Sequence, residues 1–165
     1  MKRNFEHFRL YGFSIDYPDE CRVEFNNKSR RQSGDMSFQF PDKVRIFLTW
    51  GELEKVSKRF KSTEEHAEYS LNAMQKGKNV KNFERVSRDS MASRHDKGTV
   101  NKVRFDEMAS GPFARGKATP REAHSMHVHC ENSKRYFVLY TMTPRSDEGR
   151  YDKIMAEMRD SFKCH

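Results

Sequence analysis

The sequence is poor in cysteine and contains no long apolar run. Its three cysteines, Cys21, Cys130 and Cys164, form no C-x-x-C pair and are odd in number, which is not typical of a disulfide framework. We therefore expect free thiols in a reducing compartment, with a Cys130–Cys164 disulfide as the alternative. No stretch approaches the roughly 20 apolar residues of a membrane span, and the N-terminus does not resemble a signal peptide. The prediction is a cytoplasmic protein with no membrane attachment.

The sequence also lacks the common signatures of catalytic and nucleotide-binding sites. It contains no G-x-S-x-G turn, no G-x-G-x-x-G or Walker A loop and no H-E-x-x-H pair. Asp16, Asp19 and Glu20 stand close together, but a turn beside Pro18 accounts for Asp at this place without acid–base chemistry. We expect a protein that is not an enzyme.

Positive charge and large apolar side chains are abundant. The chain carries 32 Lys and Arg residues against 24 Asp and Glu, a formal net charge of +8, with 13 Phe and nine Met among 165 residues. A chain of this length is expected to fold as one domain, residues 1–165, around an aromatic-rich core. The net charge allows an anionic partner, although the mixed signs along the chain are also typical of a solvated surface.

The hydrophobic pattern predicts strands, a helix, further strands and a last helix. Period-two alternation marks strands at 13–17, 21–25, 36–40, 44–50, 83–91, 100–108, 121–130 and 135–143. The first two flank Pro18 and form either a hairpin or a strand and a bend. Ser62 and Glu65 form a capping box for a helix over 62–76, and Ser146 caps a helix over 147–160. This order indicates the α+β class with an antiparallel sheet.

Four segments resemble the superfamily of PsbP-like proteins and Ran-binding Mog-type proteins. They are GFSIDYP near the N-terminus, FLTWGELEK, STEEHAEYSL, and the ending RYFVLYTMTP with its last helix running into RDSFKCH. The resemblance covers nearly the whole chain in the order of its elements. It implies an α/β/α sandwich, in which a central antiparallel sheet of about six strands has helices on both faces.

The same resemblance implies less about activity. The superfamily includes photosystem subunits, a nuclear-transport regulator and small proteins of unassigned function, and a shared fold does not carry activity. The chain shows no lumenal targeting peptide, and no functional residue of the photosystem members can be matched to a position in it. We expect a small cytoplasmic relative of archaeal type that acts as a non-catalytic binding or accessory protein.

Residues 124–130, HSMHVHC, bring three histidines and a cysteine together in one predicted strand. Alternation places His127 and His129 on one face and Val128 and Cys130 on the other, so Cys130 is expected in the core. A turn at residues 132–133 pairs positions whose numbers sum to 265, which sets His129 opposite Tyr136. The apparent four-ligand cluster is thereby reduced to two histidines.

Two histidines on one strand face can chelate zinc or another divalent cation, because their imidazoles can converge. His127 and His129 are therefore a candidate metal site, whereas our default expectation is a protein without a cofactor. The sequence does not identify further ligands, for which His66, His95, Cys164 and His165 are available. In the alternative interpretation the histidines are structural or lie on the surface.

Basic residues on both sides of the capped helix form a candidate surface for an anionic partner. Its members are Lys55, Lys58, Arg59, Lys61, Lys76, Lys78 and Lys81. Arg30, Arg31, Arg85 and Arg88 can extend it. Such clusters contact phosphates, so nucleic-acid binding is one alternative. Our leading prediction is a protein-interaction module whose unidentified partner has an acidic surface.

Overall fold

The computed structural model describes residues 3–92, 96–114, 116–145 and 149–165, without the side chain of Ala92. Its elements occur in the order β1 (Phe5–Leu10), β2 (Phe13–Pro18), β3 (Arg22–Phe25), β4 (Gly34–Gln39), β5 (Arg45–Glu52), α1 (Leu53–Ser57), α2 (Thr63–Gln75), β6 (Val80–Ala92), β7 (Asp96–Met108), β8 (Ala118–Cys130), β9 (Arg135–Pro144), α3 (Arg150–Ser161) and β10 (Lys163–Cys164). None of the helices in these parts of the chain is long and apolar enough to cross a membrane.

Two antiparallel sheets carry the fold. The larger has seven strands in the order β3-β4-β5-β9-β8-β7-β6, and the smaller has the order β1-β2-β10. The predicted α+β class with a large antiparallel sheet is thus confirmed, and the large sheet holds seven strands where about six were expected. The segments on either side of Pro18 belong to different sheets, because β2 pairs with β1 and β3 pairs with β4. Of the two alternatives, the chain therefore forms a strand and a bend.

The helices begin where local chemistry favours them. The Ser62 hydroxyl accepts a hydrogen bond from the backbone N–H of Glu65 at 3.2 Å, as the capping box predicts. The Glu65 carboxylate accepts from the N–H of Lys61 at 2.8 Å, one residue earlier than a reciprocal capping box requires. At α3 the N-cap residue is Gly149, and the predicted cap Ser146 lies outside the described residues.

The main core lies between α3 and one face of the large sheet. The buried stripe of α3 consists of Tyr151, Ile154, Met155 and Met158. It shares one hydrophobic cluster with the even-numbered side chains of β8, Met126, Val128 and Cys130. On the sheet surface at Val103 and Ala123 a second cluster is formed with Leu71 of α2. The side chains that α2 covers include the odd-numbered residues of β8.

The cysteine prediction is wrong in one respect, because Cys130 and Cys164 form a disulfide across 34 residues. Cys130 is fully buried in the core, as expected, and Cys21 is free. Cys164 reaches it because β10 pairs antiparallel with β2, which places Cys164 opposite Phe13 and against the sheet. An odd number of cysteines does not prevent a pair from forming once the tail is placed by backbone pairing.

Candidate functional site

The register of β8 and β9 confirms the predicted division of the histidine segment. His129 lies opposite Tyr136, His127 opposite Val138 and Val128 opposite Phe137, so the numbers of each pair sum to 265. Cys130 and Val128 face the main core, whereas His127 and His129 face α2. The structure therefore keeps the two predicted metal-site residues on one face, but buries them beneath a helix.

A third histidine, His66 of α2, completes a cluster with this pair. Its Nδ1 lies 3.3 Å from Nε2 of His129, and its ring centroid lies 4.8 Å from that of His127. Tyr136 packs edge-on against His66 at 5.6 Å. Ser70, one helical turn after His66, places its Oγ 3.2 Å from Nε2 of His127. The spacing of four between His66 and Ser70 is the sequence signal that sets both on the same face of α2.

The environment keeps these imidazoles neutral at pH 7. Burial, reinforced by the neighbouring His129, lowers the pKa of His66 to about 4. Burial, reinforced by His66, lowers the pKa of His127 to about 3. The pKa of His129 is also lowered by burial, against the opposing effect of Glu131 and Glu64. Neutral imidazoles can exchange hydrogen bonds with one another and can act as ligands.

The remaining candidate metal ligands do not join this cluster. Cys164 is in the disulfide, and Nε2 of His165 lies 3.1 Å from the hydroxyl of Ser14 in the smaller sheet. His95 lies outside the described residues. The three clustered imidazoles are not among the groups of described residues whose ligand atoms all lie within 4.8 Å of one another. Metal binding by His127 and His129 stays a prediction.

Two other groups of described residues do bring three ligand atoms within 4.8 Å. One consists of Asp96 with Cys130 and Cys164, whose sulfurs are already bonded to each other. The other consists of Glu122, His124 and Asp152. Here the Lys102 ammonium lies 3.2 Å from Glu122 Oε1 and 2.9 Å from Asp152 Oδ1. A cation of the chain itself thus lies beside both carboxylates.

The predicted basic surface is divided between the two ends of α2. This helix has 13 residues, about 20 Å at 1.5 Å per residue. Lys58 is paired with Glu54 at 2.7 Å, and Lys55 is paired with Glu52 at 3.1 Å. The Arg59 guanidinium lies over the ring of Tyr69 at 4.9 Å. Lys61, Lys76, Lys78 and Lys81 are exposed.

The arginines that were expected to extend this surface are engaged in internal contacts. Arg85 and Arg88 both donate to the carboxylate of Glu68 on α2, at 2.6 and 2.7 Å. Arg30 donates to the backbone oxygen of Ser29, and Arg31 to that of His165. These contacts reduce the positive charge that this side of the molecule offers to a phosphate. Nucleic-acid binding stays a prediction.

A trough beside α2 was not predicted from the sequence. It has a volume of about 490 Å³, and we call it the α2 trough. Its apolar walls include Phe47, Leu71, Met74, Val138, Tyr140 and Met142, and its polar lining includes Ser70, Ser125 and His127. The signal in the sequence is the alternation of Val138, Tyr140 and Met142, which are apolar residues on the strand face opposite Phe137 and Leu139.

The rim of the α2 trough is open to solvent. Tyr140 and Met142 are each 41% exposed and adjoin the apolar walls, so they form one patch with them. The ring of Tyr140 stacks on that of Phe47 from the neighbouring strand, with centroids 5.1 Å apart. Apolar pockets of this size with a few buried polar groups are typical of binding sites.

No protein-family model matches the sequence, and no curated protein matches it. Solved structures do match it. Cyanobacterial PsbP (CyanoP) from Synechocystis sp. PCC 6803 has a TM-score of 0.65 at 8% identity and covers 100% of this chain and 95% of its own. The Ran-binding protein Mog1p of Saccharomyces cerevisiae has a TM-score of 0.63 at 11% identity, covering 99% and 96%. A Mog1 point mutant has a TM-score of 0.60 at 11% identity, covering 98% and 96%. The chain therefore has the fold shared by PsbP and Mog1.

Proposed function

We propose that this chain is a non-catalytic protein-interaction module that binds its partner in the α2 trough. In this proposal residues 1–165 form a single domain, an α/β/α sandwich with helices on both faces of the sheet. The observation that carries the proposal is the open apolar rim, where Tyr140 and Met142 are each 41% exposed. Large side chains left in solvent beside a concave apolar surface mark interaction sites.

The charge around the α2 trough favours an acidic partner. A shallow depression of about 390 Å³ adjoins the trough and shares Phe47 and Met142 with it. Its lining includes three cations: Lys43, Arg45, which lies 3.8 Å from Glu24, and Arg121, which is paired with Glu107 at 2.7 Å. Its one acid, Asp42, already accepts hydrogen bonds from Arg150 and Tyr151. Lys43 leaves positive charge at this edge of the trough, which steers an acidic surface and leaves the apolar contact to supply affinity.

The likeness to Mog1p supports a protein as the partner, since Mog1p is a Ran-binding protein. At 11% identity this likeness carries the fold and not the identity of the partner. The proposal for this chain therefore depends on the α2 trough and its rim, and its test is directed at that surface.

A site-directed photocrosslinker tests the proposal. The residue p-benzoylphenylalanine replaces Met142 at the rim in one variant and Leu10 in another, and both are irradiated in an extract of the source cells. Leu10 is the matched control, because it is an apolar strand residue, 49% exposed, in the smaller sheet. We expect one dominant adduct from position 142, absent from position 10 and weakened by added salt.

Substitutions with glutamate are the second part of this test. For this part the photocrosslinker replaces Tyr140, which is 41% exposed on the same rim. Met142→Glu then places a negative charge beside it and should abolish capture of the same protein, whereas Leu10→Glu should leave capture unchanged. Equal crosslinking from both positions, no adduct from position 142, or capture that survives Met142→Glu would each overturn the proposal.

Metal binding is the second candidate, and one observation favours it. The sequence offered two ligands, and the fold adds a third imidazole, because His66 approaches His129 to 3.3 Å. Protein purified without a histidine tag should then take up one zinc ion per chain in calorimetric titration. A His127→Ala/His129→Ala variant should lose this uptake. Wild-type protein that binds no zinc near neutral pH excludes this candidate.

A further inference from the structure

Two buried polar atoms on one strand have no hydrogen-bond partner among the described residues. They are Nδ1 of His127 and Oγ of Ser125. Both residues line the α2 trough, and they are two positions apart on the same face of β8. His127 is only 1% exposed. An unpaired buried polar group is costly, so a ligand that satisfies it gains affinity and specificity.

The hydrogen bonds around His127 define what its free nitrogen requires. The Ser70 hydroxyl donates to the backbone oxygen of His66 at 3.3 Å, which uses its only hydrogen. Both contacts of the Ser70 hydroxyl are satisfied together when Nε2 of His127, 3.2 Å from its oxygen, carries the proton and donates it. A neutral imidazole protonated at Nε2 has a lone pair on Nδ1. The group that pairs with Nδ1 is thus a hydrogen-bond donor.

We propose that the group bound in the α2 trough is a tyrosine side chain of the partner, whose phenolic hydroxyl pairs with His127 Nδ1 and Ser125 Oγ. This inference rests on the proposed function and names the anchor residue. A phenol has an aromatic body for the apolar walls, including the stacked rings of Phe47 and Tyr140. Its hydroxyl donates to Nδ1 and accepts from the Ser125 hydroxyl at the same time.

Other side chains satisfy this site less well. Phenylalanine fills the apolar walls but leaves both polar atoms unpaired. The indole N–H of tryptophan donates but cannot accept, so Ser125 stays unpaired. Serine and threonine carry the hydroxyl but bury little apolar area. Tyrosine is also one of the residues most enriched among the energetic centres of protein interfaces.

Two blocked amino acids that differ only by the hydroxyl test the assignment. N-acetyltyrosinamide and N-acetylphenylalaninamide are titrated into the full chain and followed by NMR. We expect the tyrosine compound to shift the 15N resonance of His127 Nδ1, and His127→Leu to weaken its binding by about tenfold. The same variant should leave the phenylalanine compound unaffected or more tightly bound.

Matched variants separate hydrogen bonding from general damage. His129→Leu makes the same substitution two residues along the same strand face, outside the trough lining, and should keep the preference for the tyrosine compound. Ser125→Ala removes only a hydroxyl and should reduce the preference for the tyrosine compound. This variant replaces His127→Leu in the test if His127→Leu does not fold. In competition before irradiation, the tyrosine compound should prevent capture of the partner at a lower concentration than the phenylalanine compound.

Each result has one consequence. Equal binding of the two compounds to the wild type, or a preference that survives both His127→Leu and Ser125→Ala, overturns the tyrosine assignment. It does so even if Met142→Glu abolishes capture, in which case the proposed function stands. Capture that is insensitive to Met142→Glu overturns the proposed function itself, whichever compound binds.

Discussion

His66 Nδ1 lies 3.3 Å from His129 Nε2, although 63 residues separate them in the sequence. One residue belongs to α2 and the other to β8, so this contact joins the helix to the centre of the large sheet. Both imidazoles are buried, and two neutral rings can pair because one donates and the other accepts. A proton added to the nitrogen that accepts would replace this hydrogen bond with two opposed donors.

The buried histidines predict that the protein loses stability in mild acid. In the unfolded chain a histidine titrates near a pKa of about 6.5. In the folded chain the pKa is about 4 for His66 and about 3 for His127. Between these values the unfolded state binds more protons, so the free energy of unfolding falls as the pH decreases below 6.5. The stabilising contribution is fully present above that pH.

Urea denaturation at pH 7.0, 5.5 and 4.5 measures this effect. Each buried histidine contributes a slope of up to about 1.4 kcal/mol per pH unit. His127→Leu should flatten the slope, whereas Val56→Ala, a core substitution in α1, should lower stability at every pH and keep the slope. An unchanged slope in His127→Leu would show that other groups cause the acid sensitivity.

The sequence predicts this site in part. The pairing of His127 with Val138 and of His129 with Tyr136 follows from the turn at residues 132–133, because a hairpin turn fixes the register of its two strands. The capping box fixes where α2 begins. Neither signal says which part of the sheet α2 covers, and for that reason His66 could be named as a ligand but not placed.

Features formed by distant segments could not be predicted. The strand β10 has two residues, Lys163 and Cys164, which is too short to show any periodicity. Its pairing with β2 produces the disulfide to Cys130. The α2 trough depends in the same way on a gap between a helix and four strands, β5, β7, β8 and β9, and only tertiary packing creates it.

The disulfide should contribute substantially to stability. Closing a loop of 34 residues is worth about 3–4 kcal/mol by the loop-entropy estimate. We expect Cys130→Ala/Cys164→Ala to lower the free energy of unfolding by this amount in urea. Cys21→Ala is the control, since Cys21 is free, and it should have a smaller effect.

Alkylation of unreduced, denatured protein followed by mass spectrometry gives the thiol count directly. We expect one modified cysteine, Cys21, and three after reduction. Disulfides persist mainly in oxidising compartments, so the cytoplasmic location stays a prediction. The number of cysteines modified in freshly lysed cells tests it. Three modified cysteines without reduction would contradict the disulfide.

Glu122 lies at the centre of a buried ion-pair cluster. It is 1% exposed and contacts Lys102 at 3.2 Å and Arg104 at 3.1 Å. Glu122→Gln removes the charge that both cations contact, while Lys102 keeps Asp152 at 2.9 Å, so we expect a loss of about 1.5–3 kcal/mol in the free energy of unfolding. Glu107→Gln breaks the more exposed pair with Arg121 on the same two strands and should cost less than about 1 kcal/mol. Equal losses would contradict the role assigned to burial.

The ion pairs of the basic surface around α2 predict which of its lysines would contribute most to the affinity for a nucleic acid. Lys58 is already paired with Glu54, a contact that raises the pKa of the lysine, whereas Lys78 is exposed in the connector after α2. Lys78→Gln should therefore reduce affinity for duplex DNA more than Lys58→Gln does. It should also reduce the slope of log K against log salt by about 0.9, the value for one phosphate contact. Fluorescence anisotropy between about 50 and 200 mM salt, the range over which such contacts are lost, measures both quantities. Absence of binding at the lower salt concentration would exclude this function and leave the cations to an acidic protein partner.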